Sequence, residues 1–284
     1  DIGTEELVIA VLKKIGCQPE TNEEGVKLVC NLKLVCKMIK QDKGGRGRMI
    51  KAEELLDKIR SQNEVYNALK YQILTLKAEP GEMLSENIIS AQMNAGRSAV
   101  RDALAQLTEE GYVVVYPQKG TAVSMIDPER IKQSVYTHRV LEQSMIEEIC
   151  RSDISEEQLK LLEDVLDEQS IKKEEIADLL ILEQQLSYAL SVLCDKKHIW
   201  EMFRIMDCDM LRANYLYYST YGFQAERYYG PSGWEHMQIE GRMLLDHLKR
   251  KDTEAAALIC SSHFDRILLN TNSIQGFYPQ FFSG

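Results

Sequence analysis

Apolar residues recur at helical spacing in the first quarter of the chain, between polar stretches and glycines. The pattern predicts helices over 4–15, 23–40 and 51–76. Between the last two lies a run of Lys, Gly and Arg at 43–48, which is typical of a flexible basic linker. We therefore expect residues 1–48 to form a short helical extension in front of a separate domain.

The next part of the chain combines short helices with a β-rich hairpin. The predicted elements, in order, are helices over 85–93 and 97–110 and strands over 112–116 and 121–125. A tight turn at 94–96 joins the two helices, and a turn at 117–120 joins the strands. This order, with a helix before it, is that of a winged helix-turn-helix domain, which we place at 49–127.

From residue 129 onward nearly every segment reads as an amphipathic helix. The predicted helices cover 129–150, 155–170, 174–193, 196–217, 233–250 and 253–271. Their connections are short, so neighbouring helices should run antiparallel in a bundle over 128–284. The fold class predicted for the whole chain is mainly α: a winged helix with a small β-hairpin, then an all-α bundle.

Charge is distributed unevenly along the 284 residues. The net charge is −10 overall, and counting by segment gives +1 for 1–59, −1 for 60–126 and −10 for 127–284. An acidic protein is a poor general binder of nucleic acid, but here the acid excess lies outside the winged helix. A near-neutral N-terminal part and an acidic C-terminal part indicate two separate functions on one chain.

Composition also bears on location. No apolar run approaches the ~20 residues needed to span a bilayer, and no secretory leader opens the sequence. The 7 cysteines contain no C-x-x-C pair, which favours reduced thiols over a disulfide framework. We expect a cytoplasmic protein with no membrane partner.

The second helix of the turn pair carries the residues that suit DNA. Arg97 and Arg101 are four positions apart and so share a face, and Ser98 adds a short donor. Arginine can fork onto guanine or phosphate, and a helix N-terminus favours phosphate. Lys119 and Gly120 stand where a wing tip would lie. Two open alternatives are an ordinary solvated face and a winged helix that binds protein as a scaffold without DNA.

Residues 66–125 resemble the DNA-binding domain of the GntR family of bacterial transcription regulators. The matching runs are Pro80-Gly81-Glu82-Met83-Leu84-Ser85-Glu86, Gly96-Arg97-Ser98-Ala99-Val100-Arg101-Asp102-Ala103-Leu104, Leu107, Glu110-Gly111-Tyr112-Val113, and Pro117 with Lys119-Gly120-Thr121-Ala122-Val123. The resemblance implies that Arg97, Ser98 and Arg101 contact an operator, with Gly120 in the wing. Gly96, Ala99 and Lys119 depart from the usual Ser, Pro and Arg of the family, which leaves room for a different half-site.

The helical half resembles the effector domain of the FadR-like branch, called FCD, through the run 138–142 in its first helix. Many members of the branch hold a divalent metal with an Asp and three His. Carried over by position, those ligands fall on Glu183, Ser187, Gly241 and His263. Because Gly has no side chain and Ser is a weak ligand, we expect a degenerate site and no metal cofactor. If a metal binds, Glu183 and His263 are its expected ligands.

Without a metal, a small anionic effector must be held by direct contacts. Arg139 is the expected anion holder, with Glu183, Ser187 and His263 as further members of the pocket. A structural ion pair from Arg139 to Glu142 or to another helix is an equally open alternative. Glu183 and His263 are acid/base groups, but the sequence offers neither a nucleophile–base–orienter set nor a phosphate loop, so we do not expect an enzyme.

Together these patterns predict a homodimeric transcription regulator that binds an inverted-repeat operator in double-stranded DNA, and the family resemblance implies that it is a repressor. One small reading head makes too few contacts for specific binding, and two-fold symmetry doubles them. Ligand bound in the helical bundle would control the placement of the two heads. The extension at 1–48 would serve as a dimer arm or add phosphate contacts.

Overall fold

The computed structural model describes residues 20–22, 25–27, 64–171, 176–221 and 233–283. The chain divides into two compact units, residues 1–64 and residues 65–284. The predictions for other residues, including the helix over 4–15 and the basic linker at 43–48, lie outside the described part.

The described residues of the first unit form an antiparallel hairpin. Its strands are β1 Glu20–Asn22 and β2 Gly25–Lys27. Strand β2 occupies positions where the sequence predicted the start of a helix over 23–40, so that prediction is wrong at this end. Gly is among the poorest helix formers, and the β-branched Val beside it favours extended backbone.

A winged helix follows along the described chain, and all of it but residue 64 belongs to the second unit. Its elements are α1 (64–74), β3 Met83–Leu84, α2 Glu86–Gln92, α3 Arg97–Glu109, β4 Val113–Tyr116 and β5 Gly120–Val123. The strands make an antiparallel sheet in the order β3-β5-β4, with Met83 opposite Ala122 and Val113 opposite Val123. Strand β3 escaped prediction because two residues are too few to show a period.

Local chemistry sets the ends of these elements. The Ser85 side chain accepts a hydrogen bond from the Ile88 amide at 3.5 Å, which caps α2. Gly111, at φ +80°, ends α3 in the left-handed conformation that glycine adopts without strain. Between these ends, Val100 and Leu107 of α3 are fully buried in a core that they share with α1. Packing against α1 therefore fixes which face of α3 remains outside.

An all-α bundle follows the winged helix. Its helices are α4 Pro128–Arg151, α5 Glu156–Ile171, α6 Ile176–Leu193, α7 Lys197–Met206, α8 Cys208–Tyr221, α9 Gly233–Lys249 and α10 Thr253–Phe277. A 3-10 turn at Pro279–Phe281 comes after them. The two longest described helices, α4 and α10, pack along each other. Their apolar faces form a core that includes Phe264 of α10 and Phe203 of α7. The mainly helical fold class predicted from the sequence is confirmed.

One predicted helix is two helices. The sequence predicted a single segment over 196–217, but α7 ends at Met206 and α8 begins at Cys208. Asp207 between them keeps helical dihedrals (φ −83°, ψ −5°), and its amide still bonds to the Phe203 carbonyl. A break that preserves the helical period leaves no mark in the apolar pattern. Among the described helices, none is long and apolar enough to cross a membrane.

Candidate DNA interface and ligand cavity

The N-terminal turn of α3 presents its polar side chains outward. Arg97, Ser98 and Arg101 are all exposed, and Gly96 before them offers no side-chain cap. Arg101 donates from Nε to Glu86 Oε2 at 2.7 Å, while its two terminal nitrogens bond to no described residue. The fork of that guanidinium is therefore left available for an outside acceptor. Arg97 hydrogen-bonds to no described residue.

The tip of the hairpin is exposed in the same way. Lys119 and Gly120 are both exposed, and Gly120 has φ +109°, a conformation that strains any other residue. A Cβ at this position would approach Met83 within 3.2 Å. The arrangement gives a basic side chain beside bare backbone, which suits contact with a phosphate chain.

The far end of α3 is tied to the bundle by a buried carboxylate. Glu110, 5% exposed, accepts from Tyr66 and Lys70 of α1 at 2.7 Å each, and from Arg204 of α7 at 3.0 Å. Burial opposes its charge, yet Lys70, Tyr66 and Arg204 together lower the pKa of Glu110. Burial also lowers the pKa of Lys70. In the sequence Glu110 stood out only as part of the run that matches the GntR family, and the pattern gave no sign of this anchor.

A buried arginine joins the bundle to the end of the wing. Arg212 of α8 is 0% exposed and donates to the Ser124 carbonyl at 2.6 Å and to Ser124 Oγ at 3.0 Å. Its Nη2 also donates to Asp209 Oδ1 at 2.5 Å. Nearby, Cys208 is fully buried within the core of the winged helix itself. The first turn of α8 is therefore structurally part of both halves.

A cavity of about 80 Å³ lies among α4, α6, α8, α9 and α10. Its polar lining residues are His138, Glu142, Glu183, Gln184, Ser187, Asp207, Asn214, Glu240 and His263. Leucine, isoleucine, methionine and phenylalanine side chains supply most of the remaining wall. At about 30 Å³ per water molecule, this volume corresponds to two or three waters.

One end of the cavity carries a buried imidazole between two carboxylates. His138 Nδ1 lies 2.8 Å from Glu142 Oε1, and Nε2 lies 2.8 Å from Asp207 Oδ1. Its ring stacks on Phe203 with centroids 3.7 Å apart. Burial opposes a charged ring, but Asp207 and Glu142 outweigh it and raise the pKa of His138 to about 10. Ser187 Oγ donates to Glu142 Oε1 at 2.6 Å and fixes that carboxylate further.

A second imidazole repeats the arrangement at the other end. His263 Nε2 lies 3.0 Å from Glu183 Oε1, and Nδ1 lies 3.2 Å from Glu240 Oε2. Arg266 forks onto Glu240 as well. Against the cost of burial, Glu183 and Glu240 raise the pKa of His263 to about 9. Burial would raise the pKa of Glu240, but Arg266 and His263 lower it to about 2.

The structure brings together three of the four effector residues expected from the sequence. Glu183, Ser187 and His263 all line the cavity, whereas Arg139 does not. Arg139 instead pairs with Asp265 on α10, the ion pair to another helix that the sequence left open. His138, its neighbour, enters the wall in its place, since one step along a helix turns a side chain by about 100°.

Sequence reasoning also missed several members of the wall. Asp207, Asn214 and Glu240 lie on other elements, far apart in sequence, and no spacing rule connects them. One signal was present: His138 and Glu142 stand four residues apart, so they share a helix face and can bond.

The residues present do not fit the metal site of the FCD branch. The Ser187 hydroxyl is committed to Glu142, and Gly241 has no side chain. A Cβ on Gly241 would lie 2.4 Å from Leu166 Cδ2, so a larger residue there would require the Leu166 side chain to shift. Both nitrogens of His263 face carboxylates. Within the described ranges, no group of three or more His, Cys, Asp or Glu side chains is arranged to hold a metal.

Comparison with known proteins identifies both halves. Residues 61–123 match the family described as bacterial regulatory proteins, gntR family, and residues 134–266 match the FCD domain. The chain belongs to the GntR family of transcription regulators, in the branch whose second half is an FCD domain. It is a DNA-binding regulator and not an enzyme.

Individual relatives span different shares of the chain. An HTH-type transcriptional regulator of Streptomyces ambofaciens is 37% identical over 82 residues, which cover 29% of this chain and 35% of that relative. The HTH-type transcriptional repressor RspR of Escherichia coli K12 is 22% identical over 228 residues, which cover 78% of this chain and 92% of that relative. The crystal structure of a transcriptional regulator GntR from Rhodococcus sp. RHA1 is similar in fold, with a TM-score of 0.58 at 21% identity, over 75% of this chain and 97% of that chain.

Proposed function

We propose that this regulator is a cytoplasmic, homodimeric repressor whose grip on its operator is controlled by a small molecule bound in the bundle cavity. One observation supports the proposal: the junction of α7 and α8 lines the cavity at Asp207 and enters the core of the winged helix at Cys208. A ligand that moves this segment therefore acts on the DNA-reading head directly. The repressor named RspR gives family-level support for the sign of regulation.

The route from cavity to head is short. Asp207 lines the cavity through its bond to His138, and Cys208, the next residue, is buried in the winged-helix core. One position further, Asp209 pairs with Arg212, which donates to the backbone carbonyl of Ser124 just after β5. A ligand need only prefer one of two positions of Asp207 to bias the wing, which is a coupling free energy between two sites.

The reading head supplies the DNA contacts. Arg97 and Arg101 would fork onto base edges or phosphates in the major groove, with Ser98 as a short donor. Lys119 and Gly120 would follow the adjacent backbone from the wing. Two heads related by a two-fold axis would bind an inverted repeat, with half-site centres about one helical turn apart.

Selection from a random duplex library tests the proposal. Purified protein should enrich an inverted-repeat sequence, and fluorescence anisotropy on that sequence should give a salt-dependent affinity. Arg97→Ala and Arg101→Ala should each weaken binding by roughly five- to hundredfold, since a bidentate base contact contributes about 1–3 kcal/mol. Arg250→Ala is the matched control, because Arg250 is an exposed bundle residue paired with Asp246. Enrichment of no sequence would favour a protein-binding scaffold instead.

A further inference from the structure

The charge of the cavity wall is negative. Among the lining residues are the carboxylates of Glu142, Glu183, Asp207 and Glu240 and the imidazoles of His138 and His263, but no Lys or Arg. Even if both imidazoles are counted as cations, the four carboxylates leave the wall with a net charge of −2. Arg266, which pairs with Glu240 without lining the cavity, brings the sum to −1. A buried anion would meet a wall that already lacks positive charge.

The wall also contains more hydrogen-bond acceptors than donors to fill them. His138 and Ser187 both bond to Oε1 of Glu142, and no described residue bonds to its Oε2. Glu183 pairs with His263 through Oε1, and its Oε2 likewise has no partner among the described residues. Two carboxylate oxygens at the cavity are thus left for an outside donor.

An independent observation comes from an amide in the same wall. Asn214 is 2% exposed, and its side-chain oxygen has no hydrogen-bond partner in the described structure. A buried acceptor without a donor costs roughly 1–3 kcal/mol, so such groups are rare where nothing is meant to bind. This amide oxygen and the two free carboxylate oxygens all lack a hydrogen-bond donor, an N–H or O–H group.

We propose that the cavity binds a small organic cation, a primary ammonium on a short apolar skeleton, held by Glu142 and Glu183 in place of the anion expected from the sequence. An ammonium brings three donors and one positive charge, and it has no acceptor to be left unpaired. The apolar wall and the volume of about 80 Å³ limit the rest of the ligand to a few carbon atoms. The inference rests on the proposed function only for its consequence on DNA binding.

Three four-carbon probes of matched shape separate the ligand classes: n-butylamine, sodium butyrate and 1-butanol. Each is titrated into the full chain with EDTA present, by calorimetry and by thermal shift. We expect butylamine to bind at least tenfold more tightly than butyrate or butanol. Butyrate or butanol binding at least as tightly as butylamine, or no binding by butylamine, would overturn the proposal, as would stabilisation by Zn²⁺ alone in EDTA-free buffer.

Variants tie the binding to the two carboxylates. Glu183→Gln and Glu142→Gln should each weaken the affinity for butylamine roughly ten- to hundredfold, as expected for loss of a charged hydrogen-bond partner. Glu148→Gln, on the same helix as Glu142, is the control and should leave the affinity for butylamine unchanged. Glu148 pairs with Lys196 and lies outside the cavity. Unchanged binding by a folded Glu183→Gln protein would contradict the assignment.

The same probes distinguish this inference from the proposed function. Operator affinity is measured by anisotropy with and without saturating butylamine. If butylamine binds and operator affinity does not change, the cation site stands and the control of DNA binding through this cavity fails. If butyrate alone changes operator affinity, the cation proposal fails and the regulatory role stands.

Discussion

Replacing Arg212 by methionine tests the joint between the bundle and the winged helix. The side chain is 0% exposed, and four of its contacts go to Cys208, Asp209 and the Ser124 backbone and hydroxyl. Methionine keeps comparable length but removes the charge and every donor. Asp209, also 0% exposed, would keep only Arg130, whose Nε lies 3.3 Å away. Breaking one partner of a buried pair costs about 3–5 kcal/mol, so we expect a loss of that size.

Urea unfolding followed by circular dichroism measures the loss as a change in free energy of unfolding. Arg250→Met is the control, because Arg250 and Asp246 form an exposed pair 2.9 Å apart. Such pairs contribute about 0–1 kcal/mol. The two variants remove the same chemical group, and only the buried one should shift the urea midpoint strongly.

A second variant separates lost contacts from a stranded charge. Adding Asp209→Leu to Arg212→Met removes both charges of the buried pair. If the uncompensated carboxylate dominates, the double variant should be more stable than Arg212→Met alone. A single variant that loses less than about 1 kcal/mol, or a double variant less stable than the single, would refute the reasoning.

Three smaller predictions follow from the described geometry. The folded pKa of His263, about 9, lies above its ordinary value of 6.5, so its stabilisation is complete below pH 6.5 and lost as pH rises through 9. His263→Gln should flatten the pH dependence of the thermal midpoint in that window. Gly111→Ala should cost about 1–3 kcal/mol in urea unfolding, because φ is +80° and the new Cβ would meet Arg130 at 2.5 Å. Ser85→Ala should cost about 1 kcal/mol by the same assay, through loss of the α2 cap.

The winged helix was predictable because its punctuation is local. Ser85 caps a helix, Gly111 ends one, and the apolar spacing of α3 marks the buried face. The exposed positions of Arg97 and Arg101 follow from that spacing alone. Each of these signals lies within a few residues of the element that it defines.

The cavity was only partly predictable because its members meet through tertiary packing. His138 and Asp207 are 69 residues apart, yet their side chains bond at 2.8 Å. The sequence offered adjacent polar residues in α4, Arg139 and His138, and polarity did not tell which one pointed inward. The imidazole lies in the wall, where two carboxylates stabilise it, and the longer guanidinium lies outside the wall, paired with Asp265.

Two misread segments have separate causes. At Gly25–Lys27 a strand replaced the start of a predicted helix, since apolar spacing over a few residues fits both structures. At Asp207 the helix ends but the helical period continues, because Asp207 keeps helical dihedrals. The residue at the break is a carboxylate that bonds to His138, so the apolar pattern on either side is unchanged.

The anchor at Glu110 makes α3 a lever. Its 13 residues span about 20 Å at 1.5 Å per residue, with the fixed end at Glu110 and the reading end at Arg97. A tilt of about 5° at the fixed end would carry Arg97 by about 1.7 Å, enough to break a hydrogen bond to a base edge. Arg204 contributes to that anchor from α7, the helix that ends at the cavity. Sub-ångström adjustments in the bundle would therefore arrive at the DNA magnified by the length of one helix.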